Sequence, residues 1–419
     1  MKRVVLIFPG QGSQYVGMAK SLCGSFREAK EAFQEAGDTL GFDIEKLCNE
    51  GSMEELTRTE NTQPAVLTAS VAAYRVYMKE IGIEPVYAAG HSLGEISALC
   101  CAGGIRFADA VSIVRQRGIF MQEAVPAGVG GMAAISGAGQ DAIEAECRKA
   151  SVNGKLAAIS NYNSPEQIVI SGNIEAVNEA ADRLKAAGAR VIPLKVSAPF
   201  HTPLMRPAAD KLGKVLEQYS YGELRYKVIS NVTAQPYPGR ESIIEYLTGQ
   251  MIRPVRWQSS MEFVWKHGVD LAVELGPQTV LKNLMKKNVP ELMTCSIGQE
   301  PDIQALKSQL ALSGQEAGNG IDFITRCIAI AVCTKNSNWD EQEYQRGVVE
   351  PYREVKSMKE KIMKEGRNPS PEEIKKSLDM LKSVFITKKS PVEEQAERFN
   401  ELFEKTGTRH LFPDFKMPL

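Results

Sequence analysis

Several features that mark membrane, secreted or nucleic-acid-binding proteins are missing from this sequence. No stretch approaches the roughly 18 uninterrupted apolar residues of a membrane-spanning helix. The apolar run 4–8 is too short for a signal peptide, because Pro9 and Gly10 end it. The formal net charge is −1, so no excess charge of one sign favours nucleic acid or an anionic membrane as a partner. We therefore expect a cytoplasmic protein that binds neither.

The cysteines lack the spacings that would give them a shared function. There are eight of them. None forms a CxxC pair, and none lies at zinc-ligand spacing from a histidine. We expect reduced, mostly buried thiols, as in cytosolic proteins, and no metal site.

The order of predicted elements indicates an α/β fold with an insertion. Strands alternate with helices over 1–128 and again over 198–298, which is typical of a hydrolase-like parallel sheet covered on both faces. Between them, 129–197 follows the order β-α-β-β-α-β, with a hairpin around Ser164 and Pro165. That order is the ferredoxin-like pattern. The sequence therefore predicts a catalytic core interrupted by a small ferredoxin-like domain.

The last part of the chain, 299–419, is predicted to be a helical C-terminal extension. It contains an apolar helix candidate at 320–333. Charged amphipathic patterns follow, separated by glycine and proline breaks, and they cover 340–364, 371–385 and 391–405.

The segment Gly90-His91-Ser92-Leu93-Gly94 matches the pattern G-x-S-x-G. It lies between a predicted strand and a predicted helix, where glycines permit a tight turn that exposes a reactive serine. Backbone N–H groups at the start of the following helix can stabilise an oxyanion. The alternative is a structural turn with an unreactive serine.

A serine hydroxyl is a poor nucleophile without a base, and the chain has four histidines. His91 adjoins the serine and is expected to point away from its hydroxyl. His267 lies at a predicted helix end, and His410 lies near the end of the sequence. His201, at the predicted junction of the two domains, is the best candidate by elimination. A structural histidine at that junction stays the alternative.

Arg117 and Gln11 are two further candidates. Arg117 lies on a predicted helix with an apolar face. Arginine can bind a carboxylate through two parallel hydrogen bonds, as lysine cannot, although a solvated or ion-paired arginine would fit the same pattern. Gln11 lies in a glycine-rich turn after the first strand, and that turn lacks the spacings of the known phosphate-binding loops. We therefore reject a nucleotide site there.

Taken together, these segments resemble the malonyl-CoA:acyl-carrier-protein transacylase family. The similarity extends over about 1–298, in the segments FPGQGSQYVGMA, QPAVLTAS, AGHSLGEISAL, RQRGIFMQEAVP, GGMAAI, NYNSPEQIVISG, SAPFHTPLM and ELGP. Typical members end near residue 300 of this chain, so the extension departs from the family pattern.

The resemblance implies a role for each matching position. Ser92 would be the nucleophile, and His201 would be the base. Gln11 and the backbone N–H of Leu93 would hold the oxyanion.

Substrate recognition follows from the same resemblance. Arg117 would bind the free carboxylate of the malonyl group. Phe200 resembles malonyl-selective members, and Gln250 matches the position that orients the histidine. Asn161 lies in the segment that approaches the cleft from the small domain.

The resemblance also implies the partners. Malonyl-CoA is the substrate, an acyl carrier protein accepts the malonyl group on its phosphopantetheine thiol, and no cofactor is needed. We expect a monomer. The pathway stays open between fatty-acid synthesis and a free-standing acyltransferase that serves a polyketide synthase, and the unusual extension favours the second.

Two other functions compete with this interpretation. A serine esterase or thioesterase of the α/β-hydrolase type shares G-x-S-x-G, but it places its histidine close to the C-terminus. His201 comes too early for that order. A non-catalytic scaffold subunit is the other alternative, and the intact Ser92 and His201 argue against it.

Two roles are open for the extension. One is a helical cap that adds stability, and the other is a docking surface for a carrier protein or synthase. The segment 353–389 is rich in lysine, which would suit an acidic carrier.

Overall fold

The computed structural model describes residues 2–126, 128–194, 196, 198–317, 320–365, 367, 369–412 and 415–416, and at 311–317 and 410 it describes the backbone alone. The chain divides into a first unit that ends at Gln304 and a second that begins at Ala305. The elements of the first unit are β1 (Val4–Phe8), α1 (Lys20–Ser25), α2 (Arg27–Leu40), α3 (Ile44–Glu50), α4 (Met53–Thr57), α5 (Thr59–Glu80), β2 (Tyr87–Gly90), α6 (Leu93–Cys101), α7 (Phe107–Glu123), β3 (Gly130–Ser136), α8 (Gln140–Ala150), β4 (Ala157–Ser164), β5 (Gln167–Asn173), α9 (Ile174–Ala186), β6 (Arg190–Pro193), α10 (Arg206–Leu216), β7 (Lys227–Ile229), α11 (Ile243–Gln250), α12 (Trp257–Lys266), β8 (Leu271–Leu275), α13 (Val280–Asn288) and β9 (Met293–Ile297).

A five-stranded parallel sheet forms the centre of this unit, with strand order β7-β2-β1-β8-β9. Every residue of β1 is fully buried, as expected for an apolar strand that helices cover on both faces. In the register of β1 with β2, Phe8 lies opposite Gly90. The carboxyl ends of these two strands therefore meet at one edge of the sheet. That edge carries both the turn of Gln11 and the turn of Ser92.

Helix α5 shows how the fold accommodates an internal proline. Pro64 lacks an N–H group, and its ring displaces the carbonyl of Glu60 one turn earlier. Arg115 of α7 donates a hydrogen bond of 2.8 Å from Nη1 to that carbonyl oxygen. Because the displaced carbonyl is satisfied from a neighbouring helix, α5 can begin at Thr59, before the proline.

The second sheet is antiparallel, with strand order β4-β5-β3-β6. Helices α8 and α9 pack on it through an apolar cluster that includes Ile143, Ile170 and Val177. The order of elements and strands is that of the ferredoxin-like fold. The backbones of Tyr162 and Val255 join this sheet to the rest of the unit through a hydrogen bond of 2.9 Å.

The second unit is helical. Helix α14 (Glu300–Ala317) crosses the boundary, and α15 (Gly320–Cys333), α16 (Glu341–Tyr344), α17 (Glu350–Glu365), α18 (Pro371–Thr387) and α19 (Val392–Thr406) follow, with a π-helical turn at Gln345–Val349. Helix α18 begins with a capping box, in which Ser370 and Glu373 satisfy each other's backbone N–H groups. Short 3₁₀ segments lie at Pro203–Met205, Arg240–Ser242 and Arg409–Leu411.

The predicted fold class is confirmed: a parallel α/β sheet, a ferredoxin-like sheet and a helical C-terminal region are all present. The separate domain status of 129–197 stays a prediction, as do the boundaries at 198–298 and 299–419. Strands β7 and β9 were not predicted, because the first is only three residues long and the second is half polar. Residues 195 and 197, at the end of the predicted insert 129–197, lie outside the described residues. No helix in the described ranges is long and apolar enough to cross a membrane.

Candidate active site

Ser92 lies in the turn between β2 and α6, with backbone angles φ 52° and ψ −105°. Such a conformation costs a residue with a side chain about 1–3 kcal/mol, so the surrounding structure must hold it. A Cβ atom on Gly90 would lie 1.9 Å from the backbone of Gly94, and one on Gly94 would lie 2.0 Å from the carbonyl oxygen of Phe8. Glycine is therefore required at both positions for this turn to form.

His201 lies next to the serine. Its Nε2 is 2.8 Å from Ser92 Oγ, and its Nδ1 is 2.8 Å from the main-chain oxygen of Gln250. Because a carbonyl can only accept, Nδ1 carries the proton, which leaves the Nε2 lone pair free to accept from the serine hydroxyl. Burial, together with the charge of Arg117, lowers the pKa of His201 to about 3. The imidazole is therefore neutral at physiological pH.

Arg117 reaches the same serine from α7. Its Nη2 donates to Ser92 Oγ at 3.2 Å and to Gln250 Oε1 at 2.8 Å, and its Nη1 donates to Gln63 Oε1 at 2.8 Å. The side chain is buried, and its Nε has no hydrogen-bond partner within the described part of the chain. Burial lowers the pKa of Arg117 to about 10, and the charge of Glu95 acts against this shift. The guanidinium stays charged and has unused donor capacity.

Gln11, Leu93 and Phe200 are the other residues predicted for the site. Leu93 is the first residue of α6, where a helix leaves backbone N–H groups without intrahelical acceptors. The side-chain nitrogen of Gln11 is 3.5 Å from Thr59 Oγ1. Phe200 is buried beside His201. A cleft of about 250 Å³ is lined by Gln11, Phe200 and their neighbours Glu54, Thr57, Arg58, Thr59, Gln122, Val196 and Ala198.

Gln250 contacts His201 through its main chain and not through its side chain. Its main-chain oxygen accepts from His201, whereas its side chain faces Arg117, Glu95 and Ser92. Sequence reasoning could place this residue in the site, but it could not separate the backbone contact from the side-chain contacts.

The structure adds polar residues that the sequence did not single out. Glu95 is fully buried on α6, and Asn231 accepts a hydrogen bond of 2.7 Å from the backbone N–H of Ser92. Tyr237 donates to Glu95 at 2.5 Å. A charged residue within the apolar run Leu93–Cys101 was the one signal available in the sequence.

His91 and His267 make contacts with other groups. His91 Nε2 is 2.9 Å from Asn163 Oδ1, and its ring packs on Trp257. His267 ends α12 and stacks on Phe263. The side chain of His410 lies outside the described residues.

Asn161 is buried in β4, and its side-chain oxygen accepts from Ser160. No group of acidic, cysteine or histidine side chains suited to a metal ion occurs among the described residues. Five of the eight cysteines are buried, namely Cys48, Cys101, Cys147, Cys295 and Cys327.

A strained serine, a neutral histidine in contact with it and a buried arginine at the same oxygen define a serine acyltransferase site. The acyl transferase domain family matches residues 5–311. The chain belongs to this family.

The relatives make the comparison more specific. A malonyl CoA-acyl carrier protein transacylase of Bacillus subtilis is 39% identical over 395 residues, covering 94% of this chain and 99% of the relative. The enzyme of the same name from Escherichia coli K12 is 45% identical and covers 74% of this chain and 100% of the relative. The second relative thus ends near residue 300 of this chain, as the resemblance implied, whereas the first continues through most of the extension.

Solved structures are similar over the same part of the chain. A malonyl-transacylase in complex with the acyl carrier protein of a type II polyketide synthase has a TM-score of 0.71 and 43% identity, and the match covers 72% of this chain and 98% of that one. A malonyl CoA-acyl carrier protein transacylase from Clostridium perfringens has a TM-score of 0.72 and 37% identity, over 76% and 100% of the two chains.

Proposed function

We propose that this protein transfers a malonyl group from malonyl-CoA to the phosphopantetheine thiol of an acyl carrier protein, through an ester on Ser92. The observation that carries the proposal is the position of Arg117 Nη2, 3.2 Å from the same Ser92 oxygen that contacts His201. A cation there suits an acyl group with a free carboxylate. It has no evident use in hydrolysis of a simple ester.

In the first half of the reaction, Ser92 Oγ attacks the thioester carbonyl while His201 Nε2 takes the hydroxyl proton. The electron pair of the carbonyl moves onto its oxygen, which the backbone N–H groups of Gln11 and Leu93 would stabilise. The carbon–sulfur bond then breaks, and the coenzyme A sulfur leaves with the proton from His201. The product is malonyl-Ser92.

The second half reverses these steps with a new thiol. The phosphopantetheine thiol gives its proton to His201 and attacks the ester carbonyl. The bond to Ser92 Oγ breaks, and this oxygen takes the proton back from the imidazole. Every proton moves through His201, so the proposed chemistry needs no cofactor, and the kinetics should be ping-pong.

Acyl specificity is assigned to two side chains. Arg117 would bind the malonyl carboxylate through two parallel hydrogen bonds, for which its unpartnered Nε is available after a small rearrangement. Phe200, the neighbour of His201 in sequence, lines the cleft of about 250 Å³ and would disfavour a branched acyl group.

The carrier protein would belong to fatty-acid synthesis or to a polyketide synthase served in trans, in the cytoplasm, where cysteines stay reduced. The test is to incubate the enzyme and malonyl-CoA with each holo-carrier protein of the host and to weigh the carriers. We expect one carrier to gain a malonyl group much faster than free malonate appears. Malonate released faster than any carrier is loaded would instead identify a thioesterase.

A further inference from the structure

Glu95 is a fully buried carboxylate beneath the proposed site, and the reaction as written does not use it. It lies on the first turn of α6, in the apolar run that follows Ser92. An isolated buried carboxylate is costly, so its partners must compensate for the lost water. Two of those partners, Gln250 and Asn231, also contact a residue of the site or its supporting turn.

Gln250 is the first partner. Its Nε2 donates to Glu95 Oε2 at 2.5 Å and to the main-chain oxygen of Ser92 at 3.0 Å. Because a carboxylate can only accept a hydrogen bond, the amide nitrogen of Gln250 must face Glu95. The amide oxygen is thereby turned toward Arg117, and the main-chain oxygen of the same residue holds His201. Without the carboxylate, a flipped amide would present a donor to the guanidinium.

Asn231 is the second partner. Its backbone N–H donates to Glu95 Oε2 at 3.2 Å. Its side chain then accepts from the backbone N–H of Ser92 at 2.7 Å and donates to the carbonyl oxygen of Gly90 at 2.6 Å. These two bonds clamp the strained turn on both sides of the nucleophile.

Tyr237 is the third partner. Tyr237 donates from its hydroxyl to Glu95 Oε1. Burial raises the pKa of Glu95 to about 7, while Tyr237, Gln250, Asn231 and the charge of Arg117 act in the opposite direction. Three donors converge on this group, and they favour its ionised form, in which both oxygens act as acceptors.

We infer that Glu95 is a positioning residue for acyl transfer, which holds His201 through Gln250 and the strained Ser92 turn through Asn231. The inference rests on the proposed function, because it concerns the same serine and histidine. Glu95 does not touch substrate. Its effect should therefore appear in the rate of the chemical step rather than in substrate binding.

The test is Glu95→Gln in the full chain, which keeps the size of the side chain and removes the charge. We expect kcat for malonyl transfer to fall by about 10- to 100-fold, the range that corresponds to one hydrogen bond to a charged group. KM for malonyl-CoA should stay within about twofold, because Arg117 is retained. A Glu95→Gln enzyme with unchanged kcat would overturn the inference.

A double-mutant cycle tests the route of the effect. If Glu95 acts through Gln250, the loss in Glu95→Gln/Gln250→Ala should be smaller than the product of the two single losses. A loss in the double variant equal to the product of the two single losses would mean that Glu95 and Gln250 act independently. That result would contradict the inference. Tyr237→Phe offers a milder variant should Glu95→Gln fold poorly, with an expected fall in kcat of roughly 2- to 10-fold; an unchanged kcat there would count against it.

Glu274→Gln is the matched control. Glu274 is equally buried, burial raises its pKa to about 7, and it accepts from the backbone N–H groups of Leu281 and Lys282 at the start of α13. This variant should lower the melting temperature and leave kcat unchanged. If Glu274→Gln slows transfer as much as Glu95→Gln does, the positioning role is overturned in favour of general stability. If the wild type moves no malonyl at all, the proposed function fails instead.

Discussion

The two units of the molecule bury different kinds of side chain. The first buries Glu95, Arg117 and His201. His201 and Arg117 contact Ser92 Oγ directly, and the amide of Gln250 links Glu95 to the main chain of Ser92. The second is built on apolar residues, with an aromatic group that includes Phe385 and Phe399 at its centre. Burying charged groups is costly unless each finds a partner. The first unit brings three ionisable groups together around Ser92, and we take this place to be the reactive one.

The buried charge of the second unit has a local explanation. Lys388 donates to the carbonyl oxygens of Ala331 and Thr334 at 2.8 Å each, and so caps the end of α15. Lysines of the segment 353–389 also form ion pairs within their own unit, among them Lys376 with Glu354 and Lys382 with Asp379. These contacts favour the cap over the docking surface, and the role of the extension stays a prediction.

The variant His201→Ala should show the largest functional difference between the two units. Removal of the proposed base should lower kcat for malonyl transfer by about 10²- to 10⁴-fold. The melting temperature should change little by comparison, and a steady-state assay beside a thermal melt would show both. A variant that keeps more than about a tenth of the wild-type kcat would remove His201 from the mechanism.

Arg117→Ala should have the next largest effect, and a selective one. We expect transfer of malonyl to fall by about 100-fold, corresponding to a few kcal/mol of lost discrimination, while acetyl transfer rises. The measurement is the ratio of kcat/KM for malonyl-CoA and acetyl-CoA. An unchanged ratio would reject the carboxylate-binding role and leave Arg117 as a buried structural cation.

Ser92 and His201 could be predicted from the sequence, whereas the buried residues that hold them in place could not. Ser92 was predicted from a local motif and His201 from the scarcity of histidines. Glu95 meets Asn231 and Tyr237 from positions 136 and 142 residues away in the chain. No local periodicity encodes such a meeting, because the parallel sheet brings the segments together. Helices α15, α18 and α19 were predicted closely, since their amphipathic patterns and breaks are local, whereas α14 was not predicted.

Phe385→Ala tests the apolar core of the second unit. Phe385 is fully buried against Phe399 at a ring-centroid distance of 5.1 Å. The cavity should lower the free energy of unfolding of the second unit by about 3–5 kcal/mol. At a temperature where the variant is folded, kcat/KM should equal that of the wild type. A large loss of kcat/KM would show that the apolar unit contributes to catalysis.

The smallest effect is expected from Lys356→Glu/Lys364→Glu, which reverses two exposed charges on α17. If the extension is a cap, KM for the carrier protein should stay within about twofold at low salt. A rise of about tenfold that disappears at high salt would identify a docking surface for an acidic carrier.

The central claim is that the first unit concentrates its buried charges around a nucleophile, Ser92. The most direct measurement is the intact mass of the protein after brief exposure to malonyl-CoA without a carrier, with peptide mapping of the modified residue. The wild type should gain one malonyl group on the peptide that contains Ser92, and Ser92→Ala should gain none. A malonyl adduct on Ser92→Ala, or one on another residue of the wild type, would contradict the account.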